Sequence, residues 1–107
     1  MKRYEIRWAV LDPTLGSEMA KQRPVVIVSR DELNARLDTI TVCPLTSQLH
    51  PTWRTRLGVR VARKDAEIAV DHIRSISRAR LGKKVGKLGA SDAAALRRLI
   101  VEMYGAA

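Results

Sequence analysis

The sequence predicts a small, strongly curved antiparallel β-barrel with little helix, and three observations carry that prediction. Short β-branched or alternating runs follow one another, and a helix-length periodic segment appears only near the C-terminus. The strand–helix alternation that builds a doubly wound parallel sheet is missing. The chain has 107 residues, 46% of them hydrophobic, enough for one modest core, since folding at this size hides roughly two-thirds of the surface that the unfolded chain exposes. No internal repeat, low-complexity tract or linker offers a domain boundary, so residues 1–107 read as one domain.

The elements follow in order. Ile6, Trp8 and Val10 alternate with Arg7 and Ala9, the pattern of a half-buried strand ending at Asp12-Pro13. Trp8 is expected to pack in the core. Pro13 to Arg23 mixes Pro, Gly, Ser, Thr and both charge signs without periodicity and reads as a long loop. Pro24 to Ser29 (PVVIVS) is a continuous β-branched run, expected of a central strand covered on both faces, with Pro24 at its start. Ser29 and Glu32 match a capping box opening a brief helix through Arg36, with Leu33 and Leu37 on one apolar face. Thr39 to Leu45 is strand-like, with Ile40 and Val42 on one face and Thr39, Thr41 and Cys43 on the other. Arg54, Arg56, Val59 and Val61 suggest a strand with one basic face, and Ile68 to Ile76 suggests two more short strands. Ser91 is a candidate N-cap, with Leu96, Leu99, Ile100 and Met103 at helical spacing and Gly105 as the stop.

Composition narrows the function classes. Twenty Lys and Arg against eleven Asp and Glu give a formal charge of +9, so the expected partner is an anion. Between Asp71 and Asp92 there is no acidic residue, while Arg74, Arg78, Arg80, Lys83, Lys84 and Lys87 all fall inside. A single cysteine excludes an intramolecular disulfide, and with two histidines it leaves too few soft ligands for structural zinc. No apolar run approaches the ~20 residues that cross a bilayer, and the opening MKRYEIRW lacks an apolar signal core; a cytoplasmic location is expected. P-loop, dinucleotide-binding, nucleophile-elbow, HExxH and CxxC patterns are all absent, so any catalysis is expected to need no metal or cofactor.

Several residues have the chemistry for an anionic substrate. Glu18, Lys21 and Arg23 place a carboxylate and two cations within six residues ahead of a buried strand. A carboxylate accepts a proton, and a guanidinium presents planar donors to phosphate oxygens. The same residues also suit a solvated loop with a surface ion pair. Thr46 and Ser47 close a strand where hydroxyls can meet a phosphate, or can turn back on the local backbone in an ST-turn. His72 can move a proton, touch a phosphate or simply face solvent; His50, before Pro51, reads as an exposed turn residue. Trp53 sits beside Arg54 and Arg56, a setting for stacking on an unpaired base or for core packing.

Three blocks in this order, LDPTLGSEMAKQRPVVIVS, VCPLTS and VDHIRSISRARLGKKVGKL, resemble the MazF/PemK toxin family of toxin–antitoxin systems almost end to end. The resemblance implies an SH3-like or CcdB-like antiparallel barrel with a short internal helix and a C-terminal helix, a homodimer, and sequence-selective cleavage of single-stranded RNA. It also implies an acidic antitoxin as partner. It carries over Arg23 and Thr46 as the catalytic pair and matches Ser17 and Glu18 to the family's GSE. Glu18 is the candidate base for attack by the ribose 2′-hydroxyl. Ser17, Lys21, Ser47, Trp53, Arg54, Arg56, His72, Arg74, Arg80, Lys83 and Lys84 are the candidate RNA-binding residues. Met19 and His72 replace glutamines of the family pattern, and Tyr4-Glu5-Ile6 replaces its opening Gly-Asp; Arg23 and Thr46 are intact. A CcdB-like gyrase poison and an inactive nucleic-acid-binding module are the alternatives on the same scaffold.

Overall fold

The computed structural model describes residues 1–11 and 22–105. Seven strands form one antiparallel system: β1 (Glu5–Val10), β2 (Gln22–Ile27), β3 (Thr39–Thr46), β4 (Arg56–Val61), β5 (Lys64–Ala69), β6 (Arg74–Ser77) and β7 (Leu81–Lys87). Helix α1 (Asp31–Asn34) sits between β2 and β3, and α2 (Ala90–Tyr104) closes the chain. Short 3₁₀ turns at Val70–His72 and Arg78–Arg80 flank β6. The strand order is β4-β5-β3-β2-β1-β7, with β6 also on β3. Strand β3 curls the system: along one side its first half pairs with β6 through Ile40↔Ile76, and its last residues pair with β5 through Leu45↔Ile68 and Thr46↔Glu67. This is the mainly β, curved antiparallel architecture with a terminal helix that the sequence predicts.

Strand β2 and the residue that follows it show why the run VVIV is apolar throughout. Val26 and Val28 enter one core with Ile6, Cys43, Leu45, Ile68 and Leu96, where α2 covers the sheet. Val25 and Ile27 enter the other, with Ala9, Leu11, Ile40, Val42 and Ile76, inside the curl. Ile40 and Val42 share a face as expected, with Cys43 opposite.

Several local expectations need correction. The strand alternation in β1 breaks: Ile6 and Ala9 are buried, whereas Trp8 is 38% exposed rather than a core residue. The β1–β7 register shifts between Ile6 and Arg7 and again before Ala9, and such breaks in the ladder reset which side chain faces inward. Gln22 and Arg23 belong to β2 rather than to the preceding loop, because they pair with Val10 and Ala9; the loop reading for 13–21 lies outside the described residues. No capping box forms at α1. Arg30 holds the N-cap position, while the Ser29 hydroxyl donates to Asn34 Oδ1 (2.5 Å) and accepts from the Thr41 amide (3.1 Å). Leu33 and Leu37 are about half exposed, because one turn of helix is too short to present a stripe to the core. Strand β5 starts at Lys64, and β7 is a strand the sequence did not disclose.

At α2 the N-cap is Gly89, and Ser91 lies inside the helix. Gly105 does end it, but in extended backbone rather than in the left-handed region. Its requirement is space: a Cβ there would stand 2.5 Å from the Val101 carbonyl oxygen. The helix end also reaches back to the sheet, since the Tyr104 hydroxyl donates to the Val70 carbonyl (2.8 Å).

Candidate functional site

The antiparallel pairing of β2 and β3 sets the Arg23–Thr46 relation. Their register runs Ile27↔Val42, Val26↔Cys43, Val25↔Pro44, and Arg23 and Thr46 each lie two residues past that last pair, at the same end of the two strands. Both line a cavity of about 390 Å³, together with Gln48, His50, His72 and Arg74. Both also line a second groove of about 640 Å³, whose wall includes Trp8, Pro24, Ser47, Val61 and Val85. A guanidinium and a hydroxyl therefore stand where two grooves meet. The first groove is lined mainly by polar side chains, and the second adds an exposed indole and aliphatic groups to polar residues such as Gln22, Lys64 and Asp65.

The Thr46 hydroxyl oxygen accepts the Gln48 amide (3.1 Å). The ST-turn reading and the phosphate reading are thus compatible: the turn fixes the hydroxyl, and its own proton can point outward to an acceptor. Ser47 is exposed on the apolar groove.

Under the polar cavity lies an ion cluster. Arg56, whose side chain is 10% exposed, donates from Nε to Asp71 Oδ1 (2.9 Å) and holds Nη1 3.8 Å from Glu67 Oε1. Glu67 is buried, and its two carboxylate oxygens accept the His50 amide at 2.9 and 2.8 Å. The other oxygen of Asp71 lies 3.4 Å from His72 Nε2. Burial alone would raise the Asp71 pKa, but the hydrogen bond and charge of Arg56, aided by His72, hold it below the ordinary carboxylate value. His50 is no free turn residue: its ring stacks on Trp53 at 3.8 Å between centroids, and Arg56 lies 4.8 Å from the Trp53 ring centroid.

Of the sequence candidates, the structure brings Arg23, Thr46, Arg56, His72 and Arg74 to one cavity, with Ser47 on the adjoining groove. Others go elsewhere. Arg54 pairs with Glu102 on α2 (3.2 Å), Arg80 donates to the Val10 and Leu11 carbonyls (3.4 and 3.0 Å) at the end of β1, and Trp53 faces His50 and Arg56. Lys83 is exposed on β7, and Lys84 Nζ is 3.5 Å from Glu5 Oε2. Ser17, Glu18 and Lys21 lie outside the described residues, as does Met19. The sequence reading missed Trp8, Gln48, His50 and Glu67 as site-lining or site-supporting groups. The one available signal was Glu67, a lone carboxylate directly preceding the apolar run Ile68-Ala69-Val70, where an unpaired charge would be costly.

The comparisons with known proteins agree on one family. Residues 2–104 match the family described as PemK-like, MazF-like toxin of type II toxin–antitoxin system. Endoribonuclease MazF9 of Mycobacterium tuberculosis is 38% identical over 108 aligned positions, covering 90% of this chain and 89% of the relative. The solved toxin MazF-mt6 of the same species superposes with a TM-score of 0.76 at 25% identity, covering 94% of this chain and 95% of that one. An endoribonuclease in complex with its cognate antitoxin, from a mycobacterial species, shares the fold with a TM-score of 0.81 at 17% identity, covering 100% and 97%. The chain belongs to the PemK-like, MazF-like toxin family of type II toxin–antitoxin systems.

Proposed function

We propose that this protein is the endoribonuclease toxin of a toxin–antitoxin system, and that it cuts single-stranded RNA at short preferred sequences without a metal ion, thereby stopping translation and growth. The observation that carries the reading is the convergence of Arg23 and Thr46 at the junction of two grooves, in a chain related to named endoribonucleases over most of its length.

The chemistry assigned to the site is a transesterification. The ribose 2′-oxygen attacks the adjacent phosphorus, its proton passes to a base, and the bond from phosphorus to the 5′-oxygen breaks. The products are a cyclic phosphate and a 5′-hydroxyl, the latter taking up a proton. Arg23 supplies fixed donors to the phosphate oxygens as negative charge builds, the kind of preorganised stabilisation that contributes most in such reactions. Thr46 donates its hydroxyl proton to a phosphate oxygen. Glu18 is assigned the role of base and Ser17 and Lys21 that of RNA-binding residues, and Glu18→Gln with unchanged cleavage rate would remove Glu18 from its role. Ser47, His72 and Arg74 extend the contact surface along the strand. Arg56 is assigned a supporting role instead, because two carboxylates already hold its guanidinium.

A formal charge of +9 suits RNA and equally suits an acidic antitoxin laid over the same grooves, and a fold relative has been solved with its cognate antitoxin. We assign the active species as a homodimer of single-domain chains working in the cytoplasm; no described helix is long and apolar enough to cross a membrane. Sedimentation at micromolar concentration reads the dimer directly.

The deciding experiment incubates the purified protein, with EDTA, with a long single-stranded RNA and maps the new 5′ ends. Recurrent cuts at one short sequence are expected, and Arg23→Ala and Thr46→Ala each reduce the rate by roughly 10²–10³-fold. Intact RNA from a folded, antitoxin-free protein would redirect the reading to a gyrase-type poison or a binding module.

A further inference from the structure

We infer that Arg56 is the positioning residue of this site, a buried clamp that fixes His50 and His72 on the two walls of the polar cavity. The inference rests on the ribonuclease reading only for what those walls act upon. Arg56 opens β4 and pairs in register with Ala69, the last residue of β5, so its side chain lies where three separate segments converge. The first is the Val70–His72 turn, held through Asp71, which also faces His72 Nε2. The second is β5, through Glu67, which stands opposite Thr46 in the β3–β5 ladder. The third is the stretch between β3 and β4, tied to Glu67 by the His50 amide and to Arg56 by the Trp53 ring.

Within that stretch the Trp53 amide donates to the His50 carbonyl (2.9 Å) and the two rings stack nearly parallel, so displacing one displaces the other. The Val70–His72 turn is held from its far side by Tyr104; Arg56 supplies the hold from the cavity side. No single-point cation reproduces this arrangement. A guanidinium offers donors in several directions from one plane and packs on an indole face, whereas an ammonium on a flexible stem satisfies one carboxylate and leaves the other. The charges require it as well. Without Arg56, Glu67 and Asp71 would leave two uncompensated carboxylates under a cavity meant for a polyanion, and the cost falls on the wall positions.

The chain contains only two histidines, so the His50 and His72 ring resonances report both walls without crowding. In Arg56→Lys both sets of ring resonances move, while Glu32→Gln, on the exposed first turn of α1, moves neither. Cleavage by Arg56→Lys falls roughly ten- to a hundredfold in kcat, as expected for groups held slightly out of place. Affinity for an uncleavable RNA carrying a 2′-deoxyribose at the cut site falls less than kcat does, since Arg23, Thr46 and the basic surface are untouched and His72 is the one assigned contact that moves. Glu67→Leu is the second variant, serving if Arg56→Lys does not fold: it removes the acceptor of the His50 amide, moves the His50 ring and leaves His72 in place.

Unmoved histidine rings in Arg56→Lys overturn the clamp, whatever the rate does. Moved rings with an unchanged kcat overturn its part in the reaction. If the unmodified protein leaves RNA intact, the ribonuclease reading fails by itself, and the ring positions still decide whether Arg56 sets the walls. If Arg56→Lys is unfolded, an unmoved His50 in Glu67→Leu overturns the proposal.

Discussion

Glu5 illustrates how much one buried side chain can depend on its neighbours. Burial pushes its carboxyl toward the neutral form, yet the Lys2 amide, the Arg7 guanidinium at 3.0 Å and the Lys84 ammonium together bring its pKa down to about 2. A carboxylate whose folded pKa lies below its unfolded value stabilises the fold above the unfolded value, near 4.3. That stabilisation is lost as pH falls toward 2, and Asp71, also depressed, adds to the loss in the same direction. Thermal unfolding measured from pH 6 to 2 should therefore show a fall below pH 4.5 that Glu5→Gln makes shallower; identical profiles would contradict the assignment. Cys43 is the opposite case. Burial, with a smaller push from Asp71, raises its thiol to about 12, so no thiolate is exposed near neutrality. A thiol reagent at pH 8 should label it only when denaturant opens the protein, and prompt labelling of the native state would contradict that.

At the scale of elements, what the sequence disclosed and what it withheld divide along local and non-local causes. The β2 run was legible because burial on both faces leaves a continuous apolar record, and α2 was legible because its period is intrinsic to a helix. The inner face of β1 was not, since the register shifts against β7 depend on a strand more than seventy residues away. Strand β7 itself is punctuated by Gly82 and Gly86, carries three lysines and, among the described residues, has only β1 as partner, so its pattern resembles a solvated segment. The site divides likewise. Arg23 and Thr46 sit in family motifs, whereas Arg56, Glu67 and His50 acquire meaning only when β4 and β5 are paired. Packing of α2 gives the check at this scale: Leu96 is fully buried and Val101 is 65% exposed on the same helix. Leu96→Ala should cost about 2–5 kcal/mol and lower Tm by at least about 8 °C, while Val101→Ala stays within about 0.5 kcal/mol. Comparable losses from the two would mean that something other than the sheet covers α2.

For the whole molecule, a charge of +9 is a quantity that fold alone does not explain, and its distribution decides what it does. Some cations are committed internally, Arg56 to two carboxylates and Arg80 and Arg78 to backbone carbonyls, whereas Arg54 makes an exposed pair with Glu102 on the α2 side, away from the grooves. Lys83 is exposed on β7, the edge strand next to the β1 that carries Trp8. An edge bearing Lys83, Lys84 and Lys87 also resists pairing with a second copy, because like charges would face across the new ladder. RNA affinity should then fall linearly on a log–log plot against salt, with a slope of about −0.7 for each phosphate neutralised on a single strand. Lys83→Ala should make that slope shallower by about 0.7, and Arg54→Ala should leave it unchanged. The comparison needs only an uncleavable RNA and a titration at four or five salt concentrations. If Arg54→Ala flattens the slope and Lys83→Ala does not, the strand runs along the α2 side of the barrel, and the grooves meeting at Arg23 and Thr46 are not where RNA binds.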